Sequence, residues 1–357
     1  MPTLKKNSEI LPEISISPYT SAFPDRSLQQ FVYDTIGEDS KHILWFQSGS
    51  SSSVPPLHDH FNGMGNLLPI NDIQHLNQFL KKVNLMLDKN GVFFLLMETK
   101  KDRKTRIYGN HAKLRRRPVY IFDFFWKRVV PKTVLKGLHF KITKGKNQVY
   151  SLSEVLARLI FSGFEIVDHK QTGRYTSIAV RKVKQPVVTA DPSTGMLISL
   201  PRIGFNGEVI YVYKFRTMHP YSEFLQKYLY ENHGTKDGDK IINDFRVTRW
   251  GRFFRKYWID EIPMLLNYLK GELKLVGVRP LSEHKFNTYP ELLQKKRVRV
   301  KPGLIPPYYA HMPETQEDFF EAERAYLEAY SKHPLRTDFR YFRKSIFNIL
   351  FRGARSK

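Results

Sequence analysis

The apolar positions change period along the chain. Ile43-Leu44-Trp45-Phe46 reads as a short strand, followed by a Ser48–Ser53 loop. Ile73, Leu76, Leu80, Val83 and Leu87 recur at helical spacing. Asp88-Lys89-Asn90-Gly91 then reads as a turn before a buried strand over Val92–Met97. Ser153–Phe161 predicts a helix ending at Ser162-Gly163, with strands at Phe164–Val167 and Tyr175–Val180. Pro186, Pro192 and Gly195 break the pattern and mark a boundary within Lys184–Gly195. Beyond it, Trp250, Phe253, Phe254, Tyr257 and Trp258 fall on one helical face, interleaved with Arg249, Arg252, Arg255 and Lys256. Ile262, Leu265, Leu266 and Leu269 form a second stripe, expected to face a core. Glu321–Tyr330 reads as an ordinary surface helix, and Glu231–Asp239 as a polar, glycine-bearing loop.

These elements give an α/β chain. The order of helix, turn, central strand, helix and terminal antiparallel pair resembles the second half of a class I methyltransferase fold. The expected organisation is a shortened, Rossmann-like, non-catalytic domain over 1–185 and a helix-rich catalytic domain over 186–357. Gly63-Met64-Gly65 follows no convincing strand and has no third glycine, so S-adenosylmethionine binding is not expected.

Composition narrows the partners. Lys and Arg number 58 against 34 Asp and Glu, a net charge of +24, which favours anionic lipid, phosphorylated substrates or nucleic acid. The cations are dispersed and no nucleic-acid-binding module is recognisable, so no nucleic-acid partner is expected. There is no Cys, and the 12 His residues show no metal-ligand spacing; His58 and His60 read as solvent-facing. Met1–Pro12 lacks an apolar signal core, and no window of about 18 apolar residues supports a spanning helix.

The candidate chemistry centres on Asp260-Glu261. Pro263 fits only a first helical turn, which places both acids at a helix start. Dipole and free amides there favour an ionised Asp260 able to act as a nucleophile. The plainer alternative is a capping Asp260 with Glu261 decorating the first turn. Surrounding cations can neutralise a diphosphate, Arg through paired hydrogen bonds.

Lys214-Phe215-Arg216-Thr217-Met218, Asp244–Thr248, Gly251–Arg255, Asp260–Pro263, Gly277-Val278-Arg279-Pro280 and Lys301-Pro302-Gly303 occur in one order over the second half of the chain. Together with Arg202-Ile203-Gly204 they resemble the bacterial sugar transferase family, the monotopic polyprenyl-phosphate glycosyl-1-phosphate transferases. The resemblance implies transfer of sugar-1-phosphate from a nucleotide sugar, expected to be a UDP-sugar, to polyprenyl phosphate. It assigns Asp260 as the nucleophile that forms a phosphosugar intermediate, and Glu261 as the residue positioning Mg2+ and phosphate. Lys214, Arg216, Arg255 and Arg279 would surround the phosphates.

The family's apolar membrane helix has no counterpart, since Val180–Ser199 carries charges and prolines. Leu200, Val278 and Pro306-Pro307 also depart from the family pattern. Attachment is therefore expected to be peripheral, on the inner face of the cytoplasmic membrane. One candidate surface is the basic amphipathic helix over Leu335–Phe351, where Phe339, Phe342, Ile346 and Ile349 line a face; Arg355 and Lys357 add charge beyond it. The other is Arg115-Arg116-Arg117 with the aromatic run to Trp126. For both, packing of the helix on its own domain is the alternative. A non-catalytic scaffold of polysaccharide assembly is the alternative function.

Overall fold

The computed structural model describes residues 25–50, 60–133, 135–186, 190–233, 235–236, 240–241 and 244–353. Met1–Pro12, Ser51–Ser53, His58, Arg355 and Lys357 lie outside the described residues. The chain divides into two compact units, 1–194 with 219–246, and 195–218 with 247–357.

The first unit is built from α1 (Arg26–Ile36), β1 (Leu44–Phe46), β2 (Phe61–Asn66), α2 (Leu76–Met86), β3 (Leu87–Met97) and α3 (Lys100–Asn110). It continues with α4 (Arg116–Phe124), α5 (Lys136–Thr143), α6 (Leu152–Phe161), β4 (Phe164–Thr172) and β5 (Tyr175–Lys182). The sheet order is β1-β2-β3-β5-β4. Its first three strands are parallel, and β5 runs antiparallel between β3 and β4.

Alternation along β3 puts Phe93 and Leu95 in one core, with Phe79, Leu80 and Val83 of α2 and Leu156 and Leu159 of α6. Phe94 and Leu96 face the other, with Trp45 and with Leu28, Phe31 and Val32 of α1. The sheet is thus covered on both faces, which explains why β3 reads as a continuous apolar run.

Two sequence expectations need correction here. Asp88–Gly91 is not a separate turn: the residues lie within β3, with Asn90 at φ 66° and a register shift against β2. Gly63-Met64-Gly65, read as following no convincing strand, lies inside the strand β2 itself. A Cβ on Gly65 would come within 2.3 Å of the Trp45 ring, so this glycine makes room for that aromatic.

The second unit opens with the hairpin β6 (Leu197–Ile203) and β7 (Val209–Phe215). The chain then contributes 219–246 to the first unit, including α7 (Gln226–His233) and the short pair β8 (Thr235–Lys236) and β9 (Lys240–Ile241). Helix and paired strands thus occupy part of what reads as a loop. Tyr221, Leu225 and Leu229 are fully buried in the first unit's core, and Asn77 bonds the Tyr221 hydroxyl.

The second unit resumes with α8 (Arg249–Lys256), a 3-10 helix (Ile259–Met264), α9 (Leu265–Leu269) and β10 (Lys274–Val276). It ends with α10 (Glu283–Asn287), α11 (Glu291–Arg297), β11 (Gly303–Ile305), α12 (Tyr308–His311), α13 (Gln316–Lys332) and α14 (Pro334–Phe351). β10 pairs parallel with β11, and Val276, Val278, Leu293, Tyr326 and Tyr341 form the core beside them. α13 is not an ordinary surface helix. It buries Ala322, Glu323, Tyr326 and Leu327, and Glu323 is ion-paired with buried Arg297 of α11.

α14 packs through Thr337, Tyr341, Ser345 and Asn348, while Leu335, Phe339 and Phe351 stay exposed. Among the described residues, no helix is long and apolar enough to cross a membrane.

Candidate active site

Strand β7 delivers Lys214 to the start of the 3-10 helix. Its Nζ lies 2.7 Å from the Glu261 Oε1. Arg279, which follows β10, approaches the same oxygen at 3.6 Å and donates to the Tyr308 hydroxyl at 3.2 Å. A pocket is lined by Arg202, Lys214, Arg279, Glu261 and Tyr308, with Val212, Met264 and Leu304 supplying its apolar surface. Three cations against one carboxylate leave this pocket a net positive charge suited to a phosphate-bearing ligand.

The acidic pair owes its place to a sharp local turn. Trp258, just before the 3-10 helix, adopts the left-handed region at φ 54°, and its indole N–H donates to the Tyr309 hydroxyl. Asp260 and Glu261 then occupy the first 3-10 turn, and no side chain caps its start. Asp260 is partly buried, and its carboxyl is raised above the usual aspartate value. Burial is the main cause and Glu261 the second, with Lys214 and Arg255 opposing them. This direction is opposite to the one a helix start alone favours.

Burial pushes the Lys214 ammonium down, and Arg279 adds to that against the pull of Glu261. For Arg279, burial is outweighed by Tyr308 and Glu261, so the guanidinium is held above its ordinary value. Burial also raises Tyr308, keeping it a neutral hydroxyl.

The expected apolar stripe at Ile262, Leu265, Leu266 and Leu269 does not face a core. These residues are 52%, 50%, 48% and 78% exposed. The reason is the 3-10 start, which turns Pro263 and Met264 inward in their place. Asn267 is fully buried because it serves β7: it accepts from Tyr213 N and donates to Tyr211 O. The aromatic face of α8 is likewise open, with Trp250, Phe253 and Tyr257 exposed. An apolar rim therefore borders the acidic pair on both sides in sequence.

Arg255 is fixed differently from Lys214 and Arg279. Its Nε donates to the Thr217 hydroxyl at 3.0 Å. Thr248 caps α8 and also binds the Thr217 carbonyl, so α8 is tied to the end of the β7 segment. Arg216 sits at the base of the β6–β7 hairpin, where its guanidinium donates to Gly195 O, and it does not line the pocket.

Asp260, Glu261, Lys214, Arg255 and Arg279 thus form one electrostatic group, of which Lys214, Glu261 and Arg279 line the pocket while Asp260 and Arg255, like Arg216, lie outside its lining. Arg202, Tyr308 and Thr217 had no assigned role in the sequence reading. Arg202 opened a matched motif, and Tyr308 follows Pro306-Pro307, which read only as a departure.

The donor set bears on magnesium. Among the described residues, no cluster of three or more His, Cys, Asp or Glu could hold a metal. Magnesium is typically held by one or two carboxylates together with substrate phosphates, a chemistry that Glu261 could share with a bound phosphate.

Residues 180–352, just under half of the chain, match the model of the bacterial sugar transferase family. Among curated relatives, the galactosyl transferase CpsE of Streptococcus agalactiae is 39% identical over 109 residues, covering 30% of this chain and 24% of that protein. The UDP-glucose:undecaprenyl-phosphate glucose-1-phosphate transferase of Xanthomonas campestris is 34% identical over 105 residues, covering 29% and 20%. The undecaprenyl-phosphate galactose phosphotransferase of Salmonella typhimurium is 39% identical over 93 residues, covering 25% and 20%. The matched part of this chain spans about a quarter or less of these relatives' length. All three relatives are named as sugar or sugar-phosphate transferases.

Proposed function

We propose that the chain transfers sugar-1-phosphate from a nucleotide sugar, a UDP-sugar by preference, to polyprenyl phosphate. The observation that carries this reading is the grouping of Lys214, Arg279 and Glu261 beside Asp260. A partly buried carboxylate flanked by fixed cations suits attack on phosphorus, because phosphoryl transfer depends mainly on positioning and charge neutralisation.

In the proposed sequence an Asp260 carboxylate oxygen attacks the phosphorus bonded to the sugar oxygen. The diphosphate P–O bond breaks and the nucleoside monophosphate leaves with its electron pair. A phosphate oxygen of the polyprenyl phosphate then attacks the same phosphorus, freeing Asp260 and yielding a polyprenyl diphosphosugar. Lys214, Arg202 and Arg279 would hold phosphate oxygens, with Tyr308 steadying Arg279. Arg255, set by Thr217, would favour the ionised nucleophile. Glu261 would help hold magnesium, which supplies further neutralisation of phosphate charge when bound.

The lipid acceptor is supported by the exposed apolar rim on α8 and α9, and by relatives named for undecaprenyl phosphate. The location that follows is the inner face of the cytoplasmic membrane, with the product starting a cell-surface polysaccharide. The proposed domains follow the two compact units, 1–194 with 219–246 and 195–218 with 247–357, rather than the expected 1–185 and 186–357. Within this reading the first domain acts as a scaffold, and its strand order, with β5 antiparallel between β3 and β4, is what prompts the methyltransferase comparison.

The test is nucleoside monophosphate release from a panel of UDP-sugars with undecaprenyl phosphate and magnesium. UMP release that requires the lipid is expected from at least one sugar. No release from any sugar, with folded protein, would favour a non-catalytic scaffold.

A further inference from the structure

α4 in the first unit contains no buried residue. Ile121 and Phe122 are 66% and 68% exposed, and Phe125, in the π-helical turn that continues α4, is 56% exposed. Leu135, Leu138 and Ile142, one helical face at the start of and along α5, are 51%, 56% and 59% exposed. Trp126 stacks on Phe122 with ring centroids 6.5 Å apart and lies 5.4 Å from His139, so α5 folds back against the continuation of α4. Each of these apolar side chains keeps half or more of its surface in water, at a cost that burial would remove. Such a concentration of exposed apolar groups marks an interaction surface.

Charge selects the partner. Between His111 and Tyr150 the only carboxylate is Asp123, and Arg103 holds it through two bonds of 2.6 and 2.7 Å. Arg115, Arg117 and Lys141, close in sequence to these apolar groups, are exposed. Nucleic acid would use the cations and the rings, but gains little from aliphatic Leu135, Leu138 and Ile142. A layer of anionic headgroups over hydrocarbon satisfies both kinds of side chain at once.

We propose that the α4–α5 face of the first unit docks on an anionic phospholipid surface. Ile121, Phe122, Phe125 and Leu138 enter the headgroup–acyl boundary, and Arg115, Arg117 and Lys141 pair with lipid phosphates. This deepens the proposed function, which requires access to a lipid substrate, and assigns the attachment to residues outside the transfer site.

The experiment is co-sedimentation of the full chain with vesicles of equal parts phosphatidylglycerol and phosphatidylcholine, and with pure phosphatidylcholine. The parent should sediment with the anionic vesicles only and be released by salt. The variant Ile121→Ser/Phe122→Ser/Leu138→Ser should lose partitioning by about tenfold or more. Arg115→Ala/Arg117→Ala should lose several-fold at low salt. An unchanged urea midpoint shows that these exposed replacements leave the fold intact.

Equal sedimentation of parent and triple variant would overturn the proposal, as would no sedimentation of the parent. Loss of single-stranded RNA binding in these variants with vesicle binding unchanged would assign the face to nucleic acid and also overturn it. UMP release with a short, water-soluble prenyl phosphate should persist in the triple variant, so the transfer reaction is scored separately.

Discussion

Lys214 and Glu261, far apart in sequence, meet across 2.7 Å and join the end of β7 to the turn that carries Asp260. Both side chains are largely shielded, at 16% and 19% exposure, so the pair is screened less than a surface ion pair. Lys214→Ala should lower kcat/KM for UMP release by about 100-fold, the scale for losing one fixed charge donor at a reacting phosphate. Lys214→Arg should recover part of that loss. Steady-state kinetics of both variants check this.

The raised Asp260 carboxyl sets a pH dependence. Only the carboxylate can attack, so activity should fall as pH drops through a value above that of an ordinary aspartate. Lys214 is one of the cations holding that value down against burial. Lys214→Met should therefore move the acid limb of the kcat/KM profile to higher pH. A limb that stays in place or moves down would show that another group controls it.

Gly251 should be intolerant of any side chain. A Cβ there would fall 1.9 Å from the Thr217 carbonyl oxygen, a backbone atom that cannot step aside. Gly251→Ala should destabilise the second unit by about 3 kcal/mol and displace Arg255 from Thr217. Chemical unfolding would show the loss, and UMP release should fall in the fraction that remains folded.

In the first unit, Arg128 donates to the His219 Nδ1 at 3.2 Å, so the neutral ring carries its proton on Nε2. Burial, then Arg128, pushes this histidine down to about 3 from 6.5; Lys100 and Lys132 act the same way, and Glu154 opposes them. As pH falls below 6.5 the unfolded chain takes up a proton that the folded chain refuses until about 3. Stability should therefore decrease with falling pH across that window, by up to about 1.4 kcal/mol per unit. Glu154 adds a second loss in the carboxylate range. Burial opposes its ionised form, but Lys132, Arg128 and Arg158 outweigh burial and hold it below its ordinary value. His219→Asn should shrink the difference between urea midpoints measured near pH 7 and about pH 5.

The parts of the first unit that were legible are those whose elements bury at least one face, as α2, α6, β3 and β5 do. α6 and β5 follow their apolar periods closely, β1 appears where its four-residue run predicts it, and β4 begins at Phe164 as expected but runs on to Thr172 with little of it buried. The elements that misled are those where a polar side chain does a structural job. Asn267 takes the buried position below the acidic pair because β7 needs a partner for its backbone, and this leaves Leu265, Leu266 and Leu269 outside. Glu323 is buried because Arg297 meets it, which no spacing along α13 announces. In the candidate site, Lys214, Glu261 and Arg279 were legible as matched motifs. Tyr308 and Thr217 were not, since their roles exist only through Arg279 and Arg255.

The most direct measurement is intact-mass and peptide analysis of the protein after incubation with a panel of UDP-sugars and magnesium, without lipid acceptor. The account predicts a phosphosugar adduct on the peptide containing Asp260, its discharge on adding undecaprenyl phosphate, and neither adduct nor turnover in Asp260→Asn. Full turnover by Asp260→Asn, or an adduct on a different residue, would contradict it.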